Sequence, residues 1–209
     1  MSHWIGAITG GVASGKTTVT RWLEALGVHV ADADVAAREA VAPGSKGLAE
    51  VVAAFGANVL TDDGSLDRAA MRHRVFADIA ARQQLEAIIH PRVRRMLEAE
   101  CRAADSVYAV AAIPLLAEGG GRSAYPWLDR IAVVDVPESV QLQRLQARDG
   151  VDETLARQMV AAQASRSDRL AIADDVLVND ASLDALRLQV EALHRRWSRL
   201  AAATAPAAT

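Results

Sequence analysis

With 209 residues, 51% of them hydrophobic, and a net charge of −3 at pH 7, the chain can bury one α/β core with a smaller unit attached, and it has no general positive field to draw it onto nucleic acid. The single cysteine, Cys101, excludes an internal disulfide, no zinc-ligand spacing is present, and no stretch approaches the roughly 20 apolar residues of a membrane span. The first residues also lack a basic segment followed by an apolar run, so the expectation is a cytoplasmic protein, monomeric or weakly oligomeric, with no nucleic-acid or membrane partner.

Residues 4–9 form a short apolar run that reads as a buried strand, and residues 16–26 carry Val19, Trp22, Leu23 and Leu26 at helical spacing. Between them, Gly10-Gly11-Val12-Ala13-Ser14-Gly15-Lys16-Thr17 fits the phosphate-binding pattern G-x-x-x-x-G-K-[ST]. Glycines let backbone N–H groups close around phosphate oxygens at the positive end of a helix. Gly11, Val12, Ala13, Ser14, Gly15, Lys16, Thr17 and Thr18 are therefore the expected contacts to the phosphates of ATP. Lys16 reaches the outer phosphates and the Thr17 hydroxyl ligates Mg²⁺. Of 23 basic residues only Lys16 and Lys46 are lysines, which sets Lys16 apart. The competing reading, a glycine-rich turn beside a solvated lysine, needs eight positions and both flanking elements to agree by accident.

Gly27 stops the first helix, and residues 28–31 read as a second strand running into Asp32-Ala33-Asp34. Two carboxylates thus emerge at a strand's carboxyl end, the edge where parallel α/β sheets bind ligands. Residues 35–104 show helical periods at 35–41, 46–55, 68–76 and 79–103 and no convincing strand, which predicts a helical insertion. Within it, His90-Pro91 predicts a break or kink, with Pro91 opening the next helix. A third strand at 107–113 leads into Pro114-Leu115-Leu116-Ala117-Glu118 and a flexible glycine run at 119–121. A fourth strand spans 131–136. Helix 138–148 carries Arg144 and Arg148 one turn apart, Asp152 caps a helix reaching residue 164, and Arg166 and Arg169 follow. A fifth strand at 175–178 precedes a helix at 183–200 and a frayed tail at 201–209. Strands alternating with helices predict a doubly wound parallel sheet.

A guanine-nucleotide switch carries a base-reading [NT]-K-x-D motif, and motor ATPases place an acidic pair directly after an apolar strand; neither pattern occurs here. Phosphoryl transfer to a small acceptor remains. The carboxylate of Asp34 then stands near the acceptor hydroxyl, the insertion holds the acceptor, and the arginine-bearing segment covers the phosphates. A nucleoside or nucleotide kinase, or a non-catalytic nucleotide-binding regulator, would use the same loop.

Five spaced motifs narrow this further: Thr9-Gly10-Gly11-Val12-Ala13-Ser14-Gly15-Lys16, Asp32-Ala33-Asp34, His90-Pro91, Pro114-Leu115-Leu116-Ala117-Glu118, and Ala173-Asp174 with Asn179. In this order the chain resembles the dephospho-CoA kinases. The resemblance implies a P-loop kinase-type three-layer α/β fold with a parallel five-stranded sheet. Its parts would be a nucleotide-binding core (1–34, 105–137 and 170–209), a helical CoA-binding domain (35–104) and a lid region (138–169). It implies transfer of the ATP γ-phosphate to the 3′-hydroxyl of dephospho-CoA, the last step of coenzyme A synthesis, with ATP and Mg²⁺. On the family pattern Asp34 orients or deprotonates the ribose hydroxyl and Arg144 contacts phosphate. Arg148 would face the nucleotide, while His90, Leu115 and Leu116 would face the acceptor. Asp32 would meet Mg²⁺ through water. Ordinary alternatives stand beside these: a helix cap for Asp32 or Asp34, a solvated or ion-paired face for the arginines, a helix junction for His90, and core burial for the leucines. Ala13 stands where the family commonly has glycine, and that methyl group is tolerable only if the backbone angles there are unstrained.

Overall fold

A computed structural model describes residues 2–204. The elements run β1 (Ile5–Gly10), α1 (Lys16–Ala25), β2 (His29–Asp32), α2 (Ala33–Glu39), α3 (Lys46–Phe55), a 3₁₀ turn (Ala57–Val59), α4 (Arg68–Ala77) and α5 (Ile79–Ala103). They continue with β3 (Ala109–Ala112), α6 (Gly121–Ala124), β4 (Arg130–Asp135), α7 (Glu138–Asp149), α8 (Glu153–Ala161), α9 (Arg166–Ala171), β5 (Asp175–Val178) and α10 (Leu183–Thr204). The strands form one all-parallel sheet in the order β2-β3-β1-β4-β5. β1 is central, with Ile5 opposite Ala109 of β3 and Gly6 opposite Arg130 of β4. All six of its residues are buried, and successive side chains point to opposite faces, so both faces of the sheet are covered by helices.

The chain divides into two compact units, one of Met1–Ala31 with Glu100–Thr209 and one of Asp32–Ala99. In the first, Ile8, Val110, Ala132, Val134 and Leu177 from the sheet pack with Val19 and Leu23 of α1 and with Leu186, Val190, Leu193 and Trp197 of α10. Each of the valine, leucine and isoleucine side chains contributes roughly 1.5–3 kcal/mol by leaving water. Trp197 is fully buried against β1, and a Cβ at Gly6 would lie 2.1 Å from its ring, so only glycine permits this approach. The indole N–H of Trp197 donates to Asp175 Oδ2 at 3.0 Å, and Arg130 Nε and Arg196 also donate to this carboxylate. Burial works against the Asp175 charge, but these donors and the two guanidinium charges outweigh it and hold the carboxyl below its usual range. A single carboxylate thereby joins β4, β5 and α10.

The second unit is helical. Val41, Val51, Phe55, Val59, Met71 and Ala81 form its core, and the side chains of Ser45 and Asp67 cap α3 and α4. Here the expected break at His90-Pro91 does not occur: α5 runs unbroken with Pro91 inside it. Proline removes the bond to the carbonyl four residues earlier, yet Ala87 and Pro91 are both exposed, so water can reach the freed group, and the neighbouring carbonyl of Ile88 accepts from the Arg92 guanidinium. The unit spans Asp32–Ala99, and the last turn of α5 falls in the sheet unit. The segment 138–169 also falls within the sheet unit. The glycine run opens the short helix α6 instead of a flexible loop, α8 stops at Ala161, and Arg166 and Arg169 lie on α9. Residues 201–204, expected to fray, continue α10, with Ala201 buried; residues 205–209 lie outside the described residues.

Asp175→Asn should lower stability at pH 7 by roughly 1 to 3 kcal/mol, because the bonds that Arg130 and Arg196 donate to this side chain lose their charge assistance. The folded-state carboxyl value is depressed, so this contribution is full above the ordinary carboxylate range and is lost as pH falls below that range through the depressed folded-state value. Urea unfolding at pH 7 and below pH 4 should therefore show a gap between wild type and variant that closes in acid.

Candidate active site

The loop from Gly10 to Thr17 joins the carboxyl end of β1 to the first turn of α1. A turn bond from the Ser14 N–H to the Gly11 carbonyl, 3.2 Å, reverses the chain, and two left-handed residues follow each other closely: Ala13 at φ 57° and Gly15 at φ 100°. Such a sequence of backbone conformations turns successive N–H groups toward one point. Gly15 is the N-cap residue of α1 and brings no side chain to the first helical N–H groups, which leaves them for an anion. A Cβ at Gly15 would also lie 2.3 Å from Asn179 Nδ2. These groups open into a cavity of about 640 Å³, walled by residues 13–18, by Arg144 and Arg148 of α7, and by Asn179 and Leu183. Two buried polar atoms on its wall, Ser14 Oγ and Asn179 Oδ1, have no protein partner. Size, convergent donors and spare polar atoms suit a nucleoside triphosphate.

Turning the N–H groups one way turns the loop carbonyls the other way, and each needs a donor. Lys16 Nζ donates to Gly10 O at 2.7 Å and Gly11 O at 3.0 Å, which holds the ammonium against the loop. Gln141 Nε2 of α7 donates to Val12 O at 2.7 Å. Arg144, one turn further along α7, donates to Ala13 O at 3.4 Å, Ser14 O at 3.5 Å and Asn179 O at 2.9 Å. Asn179 Nδ2 donates to Ser14 O at 2.7 Å. Leu142, Leu145 and Ala156 of α7 and α8 pack beneath Val12 and Ala13.

The expected site residues divide on this geometry. Ala13, Ser14, Gly15, Lys16, Thr17, Thr18, Arg144 and Arg148 share the cavity; Gly11 and Val12 do not line it. Gly11 is buried against Gln141 and Arg169, and the Val12 N–H is taken by Gln163 Oε1 at 2.7 Å. Arg144 braces loop carbonyls from the cavity wall. Arg148 is ion-paired with Asp149, whose carboxyl the bonded guanidinium draws below its usual range. Arg166 binds Asp135 in a bidentate pair, and Arg169 is buried. In the helical unit Asp32 is the N-cap of α2, its Oδ1 accepting from the N–H groups of Asp34 at 2.7 Å and Val35 at 3.3 Å. Asp34 is thus not the cap, and its exposed carboxylate lies in the first helical turn. His90 is exposed on α5. Leu115 is 52% exposed, whereas Leu116 is fully buried and presents no surface to an acceptor.

Sequence reasoning passed over Gln141, Gln163 and Asn179 as site residues. Gln141 precedes Arg144 by three positions on one helical face, and Asn179 closes the last motif, so both had a signal. Gln163 sits in a turn and had none.

Ala13 carries strain: it is the non-glycine residue with positive φ among the described residues, a conformation that disfavours a Cβ by roughly 1 kcal/mol. Ala13→Gly should raise stability by up to about 1 kcal/mol, less any added freedom of the unfolded chain. Chemical denaturation of the two proteins side by side checks this; a glycine variant less stable by the full unfolded-chain entropy of glycine, about 0.4–1 kcal/mol, would mean that the loop holds Ala13 without strain.

The dephospho-CoA kinase family model matches residues 4–185. A dephospho-CoA kinase of Xanthomonas oryzae pv. oryzae is 55% identical over 195 residues, which is 93% of this chain and 95% of that protein. A crystal structure from Thermus thermophilus, 30% identical, covers 94% of this chain and 98% of its own with a TM-score of 0.78. The dephospho-CoA kinase of Campylobacter jejuni, 22% identical, shares the fold at a TM-score of 0.71 over 93% of this chain and 97% of its own. The chain belongs to the dephospho-CoA kinase family, and it is an ATP-dependent kinase.

Proposed function

We propose that the protein transfers the γ-phosphoryl group of ATP to the ribose 3′-hydroxyl of dephospho-CoA, giving coenzyme A and ADP in the cytoplasm. The observation that carries the reading is the braced loop at the mouth of a nucleotide-sized cavity, in a chain 55% identical to a dephospho-CoA kinase. The readings as a nucleoside kinase or a regulator have no comparable support.

In this reading the N–H groups that open α1 and the Lys16 ammonium gather the phosphates and stabilise the charge that spreads over the transferring group. Arg144 keeps the loop in shape from the cavity wall. The exposed Thr17 hydroxyl would hold Mg²⁺, and Asp32 is assigned to it through water. Mg²⁺ neutralises charge on the phosphates when bound. Asp34 accepts the proton of the 3′-hydroxyl as the new oxygen–phosphorus bond forms and the bond to the ADP oxygen breaks. The helical unit Asp32–Ala99, with His90, and the exposed Leu115 are assigned to the acceptor, and residues 138–169 to covering the nucleotide.

Asp34→Asn keeps size and hydrogen bonding but cannot take a proton, so kcat should fall by roughly 10² to 10⁴ with little change in ATP affinity. The test gives wild type and variant three acceptors: dephospho-CoA, adenosine and AMP. Wild type should prefer dephospho-CoA. Better turnover with AMP would overturn the acceptor, and full kcat in the variant would reduce Asp34 to a first-turn helix charge.

A further inference from the structure

The Val12 peptide is held at both ends, by Gln141 at its carbonyl and by Gln163 at its N–H. The two holders differ in how they are themselves supported. Gln141 lies on α7 and is almost fully buried. Gln163 lies in the turn between α8 and α9, where no helix fixes its direction. That turn is pinned at the next residue: the Ala164 N–H donates to Glu118 Oε1 at 2.7 Å, and the Ala164 carbonyl accepts from the buried guanidinium of Arg169. Glu118 comes from the turn that follows β3, which also carries the half-exposed Leu115 and is joined to β1 by Thr9 Oγ1 donating to Pro114 O at 3.4 Å.

We propose that Glu118 and Gln163 are positioning residues for the phosphate loop: Glu118 fixes the turn that carries Gln163, and Gln163 fixes the Val12 peptide. The Glu118 carboxylate accepts a charge-assisted bond from the Ala164 N–H, and Arg169 donates one to the carbonyl of the same residue. The Gln163 amide occupies the Val12 N–H and so fixes the peptide that enters the turn, leaving the N–H groups of the residues after Val12 to meet phosphate. Neither side chain touches the reacting groups. The segment after β3 is thereby linked to the loop after β1 by one chain of hydrogen bonds, Glu118 to Ala164, Gln163 to Val12.

The inference rests on the reading that this loop binds ATP, and the experiment separates the two. ATP affinity is measured by calorimetry without acceptor for wild type, Gln163→Ala, Glu118→Ala, Glu118→Gln and the double alanine variant, with kcat measured at saturating ATP. Gln163→Ala and Glu118→Ala should each weaken ATP by about 3- to 10-fold, the range of one hydrogen bond. The change in kcat should be smaller than the change in Kd. Glu118→Gln keeps an acceptor oxygen and should restore most of the affinity. The double variant should be no weaker than Gln163→Ala alone, because one residue acts through the other. Affinities within twofold of wild type, multiplying losses in the double variant, or a Glu118→Gln protein as impaired as Glu118→Ala would each overturn the proposal. Where Gln163→Ala does not fold, Gln163→Leu, which keeps the side-chain length, takes its place. A wild-type protein that does not bind ATP would instead overturn the reading of the loop itself.

Discussion

A loop that turns its N–H groups inward to meet an anion must turn its carbonyls outward, and buried carbonyls need donors. Much of the sheet unit is arranged around this constraint. Between Gly10 and Ser14 each carbonyl has one: Lys16 from the loop's own helix, Gln141 and Arg144 from α7, and Asn179 from the end of β5. Gln141, Arg144 and Asn179 come from segments more than a hundred residues away in sequence, so the loop acquires its full set of donors only when the sheet has assembled. α7 and Asn179, just past the end of β5, thus meet the loop after β1.

The sheet order serves the same end. β1 lies between β3 and β4, so the phosphate loop emerges at the middle of the carboxyl edge, at the switch point of a parallel α/β sheet. β4 and β5 then bring α7 and Asn179 to one side of the loop. The position of β5 depends in turn on Asp175, whose carboxylate binds Trp197, Arg130 and Arg196, and on Gly6, whose missing side chain admits Trp197. The geometry of a phosphate site is thus tied to the buried Asp175 carboxylate and the arginines and tryptophan bonded to it. Ala13 tells the same story from the other side: a strained residue persists because its surroundings determine the backbone around it.

Much of this was legible in the sequence because local signals and tertiary demands agreed. The phosphate pattern, the apolar strands, the caps at Asp152 and the helical insertion each follow from spacing that needs no knowledge of the fold. Reading failed where a distant contact outvoted a local rule. Pro91 marks a helix end by its own chemistry, but α5 continues because the freed carbonyl is exposed and Arg92 bonds the next one. Leu116 and Leu115 are neighbours of one type, and only the turn after β3 decides that one is buried and the other exposed. Asp32 was the better of two candidates for the cap, and the start of α2 decides for it over Asp34. Gln163 was invisible, since a glutamine in a polar turn carries no pattern, and its role exists only in the bond to Val12.

The most direct test of this account is amide hydrogen exchange of the nucleotide-free protein, read residue by residue across the loop. If the protein's own side chains set the loop, the N–H groups of Val12 and Ser14, bonded to Gln163 and Gly11, should be protected nearly as well as those of β1 before any nucleotide is added. Fast exchange at both positions, slowed only by ATP, would contradict it, because the ligand and not the fold would then be shaping the loop.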